Sequence, residues 1–403
     1  MNNIIASVLL SVMTAFTALT MSGCQKSGPH ESRNGIITSD NGKMRTSMTA
    51  NEYAKEMGIG INLGNTLEAN WSGGNAAAGS AVVGGGSVKE YEKCWGACET
   101  TQEIIDGMRD AGFNTVRVPV YWGNGMADDG TFTITNELFD RVEEVINYCL
   151  NDGLYTVINI HHYDEYIIKN YSREDAVSIT KNLWNQIAER YKEYSDYLVF
   201  EGFNENLGSQ RESDNYSEQE LFDYVNEMNQ AFVDTVRATG GNNKDRLLIA
   251  SGYWTNIDKT TTDNFVMPTD SAKNKMMVSV HYVDNAMYWT NQIGSQAWYD
   301  YSIAQCELLK KAFTDRGIPV FVGECTSIYE ADRYAADAYV TDTADTLDIM
   351  MNMISDYGFV PVLWDVNNNF YYRSVQIFPN EKNVEVVKEI AAKISGETEE
   401  NAA

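Results

Sequence analysis

The sequence predicts an α/β protein built as a single-domain (β/α)8 TIM barrel, and three observations predict it. Eight short runs rich in β-branched and aromatic residues alternate with longer stretches along the chain. These runs are almost continuously apolar, as strands of a parallel sheet buried on both faces must be. The stretches between them carry apolar residues three and four apart, the period of an amphipathic helix. Eight such units in succession suit a closed barrel. A doubly wound open sheet is the alternative, but the first strand–helix turn lacks the glycine fingerprint for a dinucleotide.

Taken in order, the strands are expected at 57–63, 115–120, 155–160, 198–203, 246–251, 276–280, 319–323 and 359–364. Helical periodicity marks 101–111, 136–150, 176–194, 218–238, 299–313 and 335–357. Gly112, Gly153, Gly240, Gly317 and Gly358 stand where helices stop before the next strand. The fifth unit is the least regular, because 256–275 shows no clear helix. The barrel is expected to occupy 50–395, followed by a frayed acidic tail at 396–403.

The N-terminal end reads as an export signal over 1–23. An apolar run at 4–21, broken by Ser and Thr, stops at Met21-Ser22-Gly23-Cys24. Small residues directly before a cysteine resemble the bacterial lipobox, which makes Cys24 the expected lipidation site and the membrane anchor. Residues 24–49 are polar and without period, which reads as a flexible tether. Localisation is therefore expected at the cell envelope or surface, or else secreted. The loop at 71–88 is rich in Gly, Ala and Ser. No Lys-Ser/Thr follows Gly84-Gly85-Gly86, so it reads as a lid at the strand exits rather than a phosphate cradle.

Composition narrows the function. Fifty-seven acidic and 30 basic residues give a net charge of −27, which repels nucleic acid and excludes it as a partner. Six cysteines in 403 residues are too few for a disulfide-built scaffold. Cys94 and Cys98 either form a small local disulfide or stay free. Cys149 and Cys306 fall on expected helices, and Cys325 has no neighbouring pattern for a thiol nucleophile.

A barrel places its chemistry at the C-terminal ends of its strands. Here those ends read Asn62 and Asn65, Arg117, His161-His162, Asn204-Glu205, His281-Tyr282, Glu324 and Trp364-Asp365. Glu205 and Glu324, after the fourth and seventh strands, can face each other across the mouth, as the carboxylate pair of a glycosidase does. One must hold a proton for the leaving oxygen while the other stays ionised. Arg117 is suited to keep a neighbouring carboxylate ionised. Asn204 can donate to a sugar hydroxyl. Trp364 offers a flat apolar face for a sugar ring, with Trp71, Trp95, Trp122, Tyr163, Trp254 and Trp289 as further rim candidates.

The strings carrying these residues resemble glycoside hydrolase family 5, the cellulase-like retaining enzymes. They are Gly60-Ile-Asn-Leu-Gly-Asn-Thr-Leu-Glu68, Gly112-Phe-Asn-Thr-Val-Arg-Val-Pro-Val120, Ile158-Asn-Ile-His-His162, Phe200-Glu-Gly-Phe-Asn-Glu205, Ser279-Val-His281, Gly323-Glu324 and Leu363-Trp364. With Trp95-Gly96 and Thr100-Thr101, the first string looks most like the subfamily of endo-β-1,4-glucanases and xyloglucanases. The resemblance implies Glu205 as acid/base, Glu324 as nucleophile, and Arg117, His161, Asn204, His281 and Trp364 around them; the strand exits add Asn62, His162 and Tyr282 as candidate neighbours. It implies no metal and no organic cofactor, a β-glucan substrate, and a monomer. Two positions depart from the family pattern. Asn206 replaces the proline that commonly follows the acid/base, and Val283 stands where a tyrosine contacts the nucleophile. Either a local shift brings Tyr282 into that place or the contact is missing. The rival readings are a β-mannanase on the same machinery, a non-catalytic surface glycan-binding lipoprotein, and a metal-dependent barrel hydrolase using His161, His162 and His281.

Overall fold

The computed structural model describes residues 30–32, 34–70, 87–127, 129–208, 215–326, 329–367 and 370–396. Eight strands follow one another as β1 Gly60–Asn62, β2 Thr115–Val118, β3 Tyr155–Ile158, β4 Leu198–Glu201, β5 Leu248–Ser251, β6 Met276–His281, β7 Val320–Cys325 and β8 Val360–Leu363. Each pairs in parallel with the next, and β8 returns to β1 through Val362 opposite Gly60. The open-sheet alternative is thereby excluded. Each expected strand is present; most are shorter than expected, while β6 and β7 run on to His281 and Cys325.

The helices that follow the eight strands in turn are α1 Gln102–Asp110, α2 Asn136–Asn151, α3 Arg173–Tyr191, α4 Glu218–Ala238, α5 Ile257–Thr260, α6 Gln296–Ala312, α7 Thr343–Asp356 and α8 Glu381–Ser395, with shorter helices in the loops at Val88–Tyr91, Tyr163–Asn170 and Asn285–Trp289. Their starts follow capping chemistry. The Ser172 hydroxyl accepts from Asp175 N, so α3 begins ahead of its expected start at 176. Asp342 accepts from Ala344 N, so α7 begins later than the expected 335. The irregular fifth unit is the single turn α5. The last helix, α8, has no counterpart among the expected ones.

Successive strand residues point to opposite faces. Val157, Val199, Ile249, Met277, Phe321 and Val362 form an inner cluster, while Val116, Val118, Ile158, Phe200, Val278 and Val320 pack outward under the helices. Toward the strand exits the interior turns polar, with Asn62, Arg117, Glu201 and Ser279 all fully buried.

Two expectations at the N-terminal side are corrected. Met57 does not open the first strand. Residues Ala50–Met57 form a helix with a Thr49/Glu52 capping box, stopped at Gly58 with φ 55°. Its Ala50, Tyr53, Ala54 and Met57 plug the barrel floor against the inner cluster. The second correction concerns the tether expected over 24–49, whose described part is fixed to the fold. His30–Glu31 pairs with Ile37–Thr38, and Asp40 accepts from Ser195 N at 3.1 Å. Arg45 binds Asp196 at 2.7 Å, Glu56 at 2.6 Å and the Tyr155 hydroxyl at 2.6 Å. Polar composition resembles a linker, but these polar groups find partners beneath the strands. The expected signal at 1–23, Cys24, most of the 71–88 lid with Trp71, and 397–403 lie outside the described residues. Among the described residues no helix is long and apolar enough to cross a membrane.

Candidate active site

Arg117 organises the polar layer. It has no exposed surface, and its guanidinium donates to Glu201 Oε2 at 2.7 Å, Asn62 Oδ1 at 3.0 Å, Glu324 Oε1 at 3.0 Å and Asn204 Oδ1 at 2.9 Å. Burial alone would pull it down, but Glu201 and Glu324 outweigh that and keep the cation. Asn62 is braced in turn, its amide donating to the carbonyls of Gly323 and Leu363. Every polar atom of Asn62 is therefore spent on the barrel, which makes it a scaffold residue rather than a sugar contact. Asn204 gives its oxygen to Arg117, which turns its NH2 end away from that cation and leaves it as the donor.

Glu324 is the last residue but one of β7, where a register shift against β6 sets His281 opposite it rather than opposite Gly323. The same irregularity settles the place of Tyr282. At φ 44° its backbone turns left-handed, and its hydroxyl donates to Glu324 Oε2 at 2.7 Å. Val283 is buried in the core. The local shift thus brings Tyr282 to the carboxylate where the family pattern has a later tyrosine. Both Glu324 oxygens carry a donor, and its side chain is only 7% exposed.

Glu205 differs. Its side chain is 40% exposed, and its Oε1 lies 3.4 Å from His281 Nδ1, which is also 3.6 Å from Glu324 Oε2. Burial pushes the Glu205 carboxyl up, but the hydrogen bond and charge of His281, with His162 and Arg117 beyond, hold it below the ordinary glutamate value. One atom each of Glu205, His281 and Glu324 lie within 4.8 Å of one another. Two carboxylates and an imidazole could hold a divalent ion, although Arg117 and Tyr282 already supply donors to Glu324.

His161 is buried and pulled well below its ordinary value by desolvation, with His162, Arg117 and His281 adding to it. It is therefore neutral, and its ring stacks on Trp364 at 6.2 Å and 9°. Desolvation also pulls half-buried His162 down to about 4, against the attraction of Glu205. Its ring meets His161 edge-on at 4.3 Å. Trp364 is half-buried beside Gly64, where an added Cβ would lie 3.2 Å from the indole.

The other aromatic candidates divide. Trp254 and Trp289 line cavities at the rim, and Trp95 is half-buried with its indole N–H on Asn70 O. Trp122 and Tyr163 are not at the rim. Both are fully buried, Trp122 bonded to Asn159 O and Tyr163 stacked on Tyr166. Sequence reasoning missed Glu201, which joins Arg117, Asn159 and Ser279 in one buried network. Its signal was an acid within an apolar strand. Asp365 is likewise internal, holding Phe370 N and Arg373. Cys94 and Cys98 are free thiols in the structure.

Comparison with known proteins agrees with this geometry. Residues 75–370 match the family model for cellulase (glycosyl hydrolase family 5). Endoglucanase A of Clostridium longisporum is 33% identical over 333 residues, 79% of this chain and 60% of that one, so the chain spans about three-fifths of that relative. Endoglucanase A of Ruminococcus albus is 32% identical over 341 residues, 82% of this chain and 87% of that one. Among solved structures, a broad specificity endoglucanase from an uncultured bovine rumen ciliate superposes with a TM-score of 0.74 at 31% identity, covering 86% of this chain and 99% of its own. A Prevotella bryantii family 5 enzyme, in complex with a xyloglucan tetradecasaccharide, superposes at 0.73 with 29% identity, covering 85% and 99%. The barrel, the facing glutamates and these matches together establish that the chain belongs to glycoside hydrolase family 5.

Proposed function

We propose that the chain is a retaining endo-acting hydrolase of β-1,4-glucans such as cellulose, mixed-linkage glucan or xyloglucan, with Glu324 as nucleophile and Glu205 as acid/base. The observation that carries this reading is a spacing. An oxygen of Glu205 and one of Glu324 lie within 4.8 Å. Direct attack with retention needs carboxyl groups about 5–5.5 Å apart, whereas inversion needs about 6.5–9.5 Å to admit a water between them.

The roles follow from the asymmetry of the pair. Glu324 accepts one donor on each oxygen, from Arg117 and from Tyr282, which fixes the carboxylate for attack. Glu205 has a side chain 40% open to solvent and one oxygen 3.4 Å from His281 Nδ1, a place from which a carboxyl can exchange a proton with the departing oxygen and then with water. In the first step Glu324 attacks the anomeric carbon while Glu205 protonates the departing glycosidic oxygen. In the second, Glu205 takes a proton from water, which attacks the same carbon and releases Glu324. Asn204 donates to a sugar hydroxyl and Trp364 supplies the platform for the ring. Export on the 1–23 signal, with Cys24 as anchor, belongs to the same proposal, since a polysaccharide too large to cross a membrane must be cut outside it.

A dinitrophenyl cellobioside, whose leaving group needs no proton, separates the two glutamates. Glu205→Ala should still release a burst of dinitrophenol and then stall, while Glu324→Ala should lose the burst. A fully active Glu324→Ala variant would overturn the assignment. Dialysis against a chelator should leave the wild-type rate unchanged; loss of activity would instead favour an ion at Glu205, His281 and Glu324. Reducing-sugar release from cellulose, mixed-linkage glucan, xyloglucan and mannan ranks the substrates, and mannan alone would favour the mannanase reading.

A further inference from the structure

The hairpin at His30–Thr38 shows from which side the chain joins its barrel. Its strands pair antiparallel, His30 opposite Thr38 and Glu31 opposite Ile37. The turn between them is fastened half-way along α2. Ser32 Oγ donates to Glu143 Oε1 at 3.1 Å, and Asn34 Nδ2 donates to Glu143 Oε2 at 3.1 Å. Glu143 is buried and held from the other side by Arg190 of α3 and the Tyr194 hydroxyl. The open end of the hairpin lies lower. Beside Thr38, Ser39 donates through N and Oγ to Asn151 Oδ1, at 3.0 and 3.1 Å, on the last residue of α2.

The helices of the barrel run from mouth to floor, α2 from the exit of β2 to the start of β3. The strand His30–Glu31 therefore climbs from the foot of α2 toward its middle, and the chain before His30 leads off the floor edge. The six residue steps from Cys24 to His30 span at most about 3.6 Å each when fully extended, roughly 20 Å in all. With 16 residues at about 1.5 Å each, α2 makes a wall roughly 24 Å high before the loops of the mouth are added. A lipid on Cys24 thus meets a bilayer from the floor and falls short of the plane of the mouth.

We infer that the anchored protein stands floor-down on the membrane, its cleft opening away from the lipid. The foot of the α2–α3 wall and the helix Ala50–Met57 face the bilayer, and Glu205 and Glu324 face the medium. The fastened hairpin is what makes the linkage directional. A free tether over 24–49 would extend about 28 Å on average and leave the cleft pointing in any direction. A net charge of −27 gives the barrel no attraction to an anionic bilayer, so the linkage rather than surface adhesion sets the pose. The inference rests on the anchor at Cys24 proposed above and adds the direction in which that anchor holds the cleft.

The full-length lipoprotein in phosphatidylcholine vesicles tests this. A donor dye replaces the exposed side chain of Lys244, in the floor turn before β5, or of Glu330, in the loop after β7 at the mouth. Energy transfer to a rhodamine headgroup lipid is then measured. Transfer falls with the sixth power of distance, so a height difference of about 24 Å should make it at least about threefold stronger from 244 than from 330. Inserting about twenty Gly/Ser residues between Pro29 and His30 carries the linkage past the height of the wall and should bring that ratio toward one. Equal transfer from the two positions, or stronger transfer from 330, would overturn the pose. So would a ratio that the insertion leaves unchanged, since the surface and not the linkage would then set it. The mass of the N-terminal peptide is read in parallel. Cys24 without an acyl chain would refute the anchor itself and this inference with it, whereas an acylated Cys24 with equal transfer refutes the pose alone.

Discussion

Single residues at this site act through where their donors point. Tyr282 donates to the same carboxylate that Arg117 holds, so Tyr282→Phe removes one charge-assisted bond and leaves the other. Loss of about 1.5–3 kcal/mol from that carboxylate predicts a kcat lower by roughly 10- to 100-fold with little change in KM, measured on cellobiosides. Glu68 makes a different case. Burial, opposed by backbone donors at Thr66 and Asn65 and by Arg373, raises its carboxyl from 4.5 to about 7. Between those values the folded protein binds more protons than the unfolded chain, so this group lowers stability as pH rises through that window. Glu68→Gln should flatten the dependence of melting temperature on pH between 5 and 7, and an unchanged slope would contradict it. The sequence left the Tyr282 contact open between a local shift and its absence, and gave no sign of the burial of Glu68. The chain shows Tyr282 at a strand exit and Glu68 in a family string, but the bond of one depends on a register shift and the burial of the other on a loop. Arg117 and the two glutamates were legible, because a charge at the end of an apolar strand has few other uses.

Strands and helices were legible to the degree that burial governs them. The eight apolar runs suit a parallel sheet under helices, and all eight are present in one closed barrel. The N-terminal helix was misread because its buried Met57 adjoins the apolar run of β1, and only Gly58 separates them. The segment from 335 to 342 looked helical, yet it is turn and loop, preceded by a 3-10 turn at Ala331–Arg333, until α7 starts at its Asp342 cap. One contact between elements controls the site directly. Gly64 follows β1 and packs against the exit of β8, its N–H on Asp365 O at 3.1 Å. A Cβ there would sit 2.6 Å from that oxygen and 3.2 Å from the Trp364 ring. Gly64→Ala must therefore push β8's exit and its indole outward, at a cost of about 1–3 kcal/mol. The variant should melt earlier and lose kcat/KM together, with altered tryptophan fluorescence. Early melting with normal catalysis would mean that Trp364 is not held by this packing.

At the scale of the whole molecule, the two ends of the barrel have separate tasks. The exits carry the glutamates, while the floor is closed by Ala50–Met57 and bound by the segment before it. The net charge of −27 does not bear on a neutral polymer, but it makes each cation at the floor count. Arg45 is the principal one: it ties the N-terminal segment to Asp196 at 2.7 Å and to Glu56 and Tyr155 at 2.6 Å each, and its partner Asp196 is buried. Arg45→Ala leaves that carboxylate with the Tyr53 hydroxyl as its remaining side-chain donor. Losing bonds to a charged, buried acceptor should cost about 1.5–3 kcal/mol. For a chain this long that is a fall in melting temperature of several degrees, at roughly 2–4 °C per kcal/mol. Because the damage lies at the end opposite the glutamates, kcat/KM measured well below the transition should stay within about twofold of wild type. An unchanged melting temperature would return this segment to the status of a tether. A large loss of activity in the still-folded variant would mean that the floor and the catalytic mouth are coupled through the barrel interior.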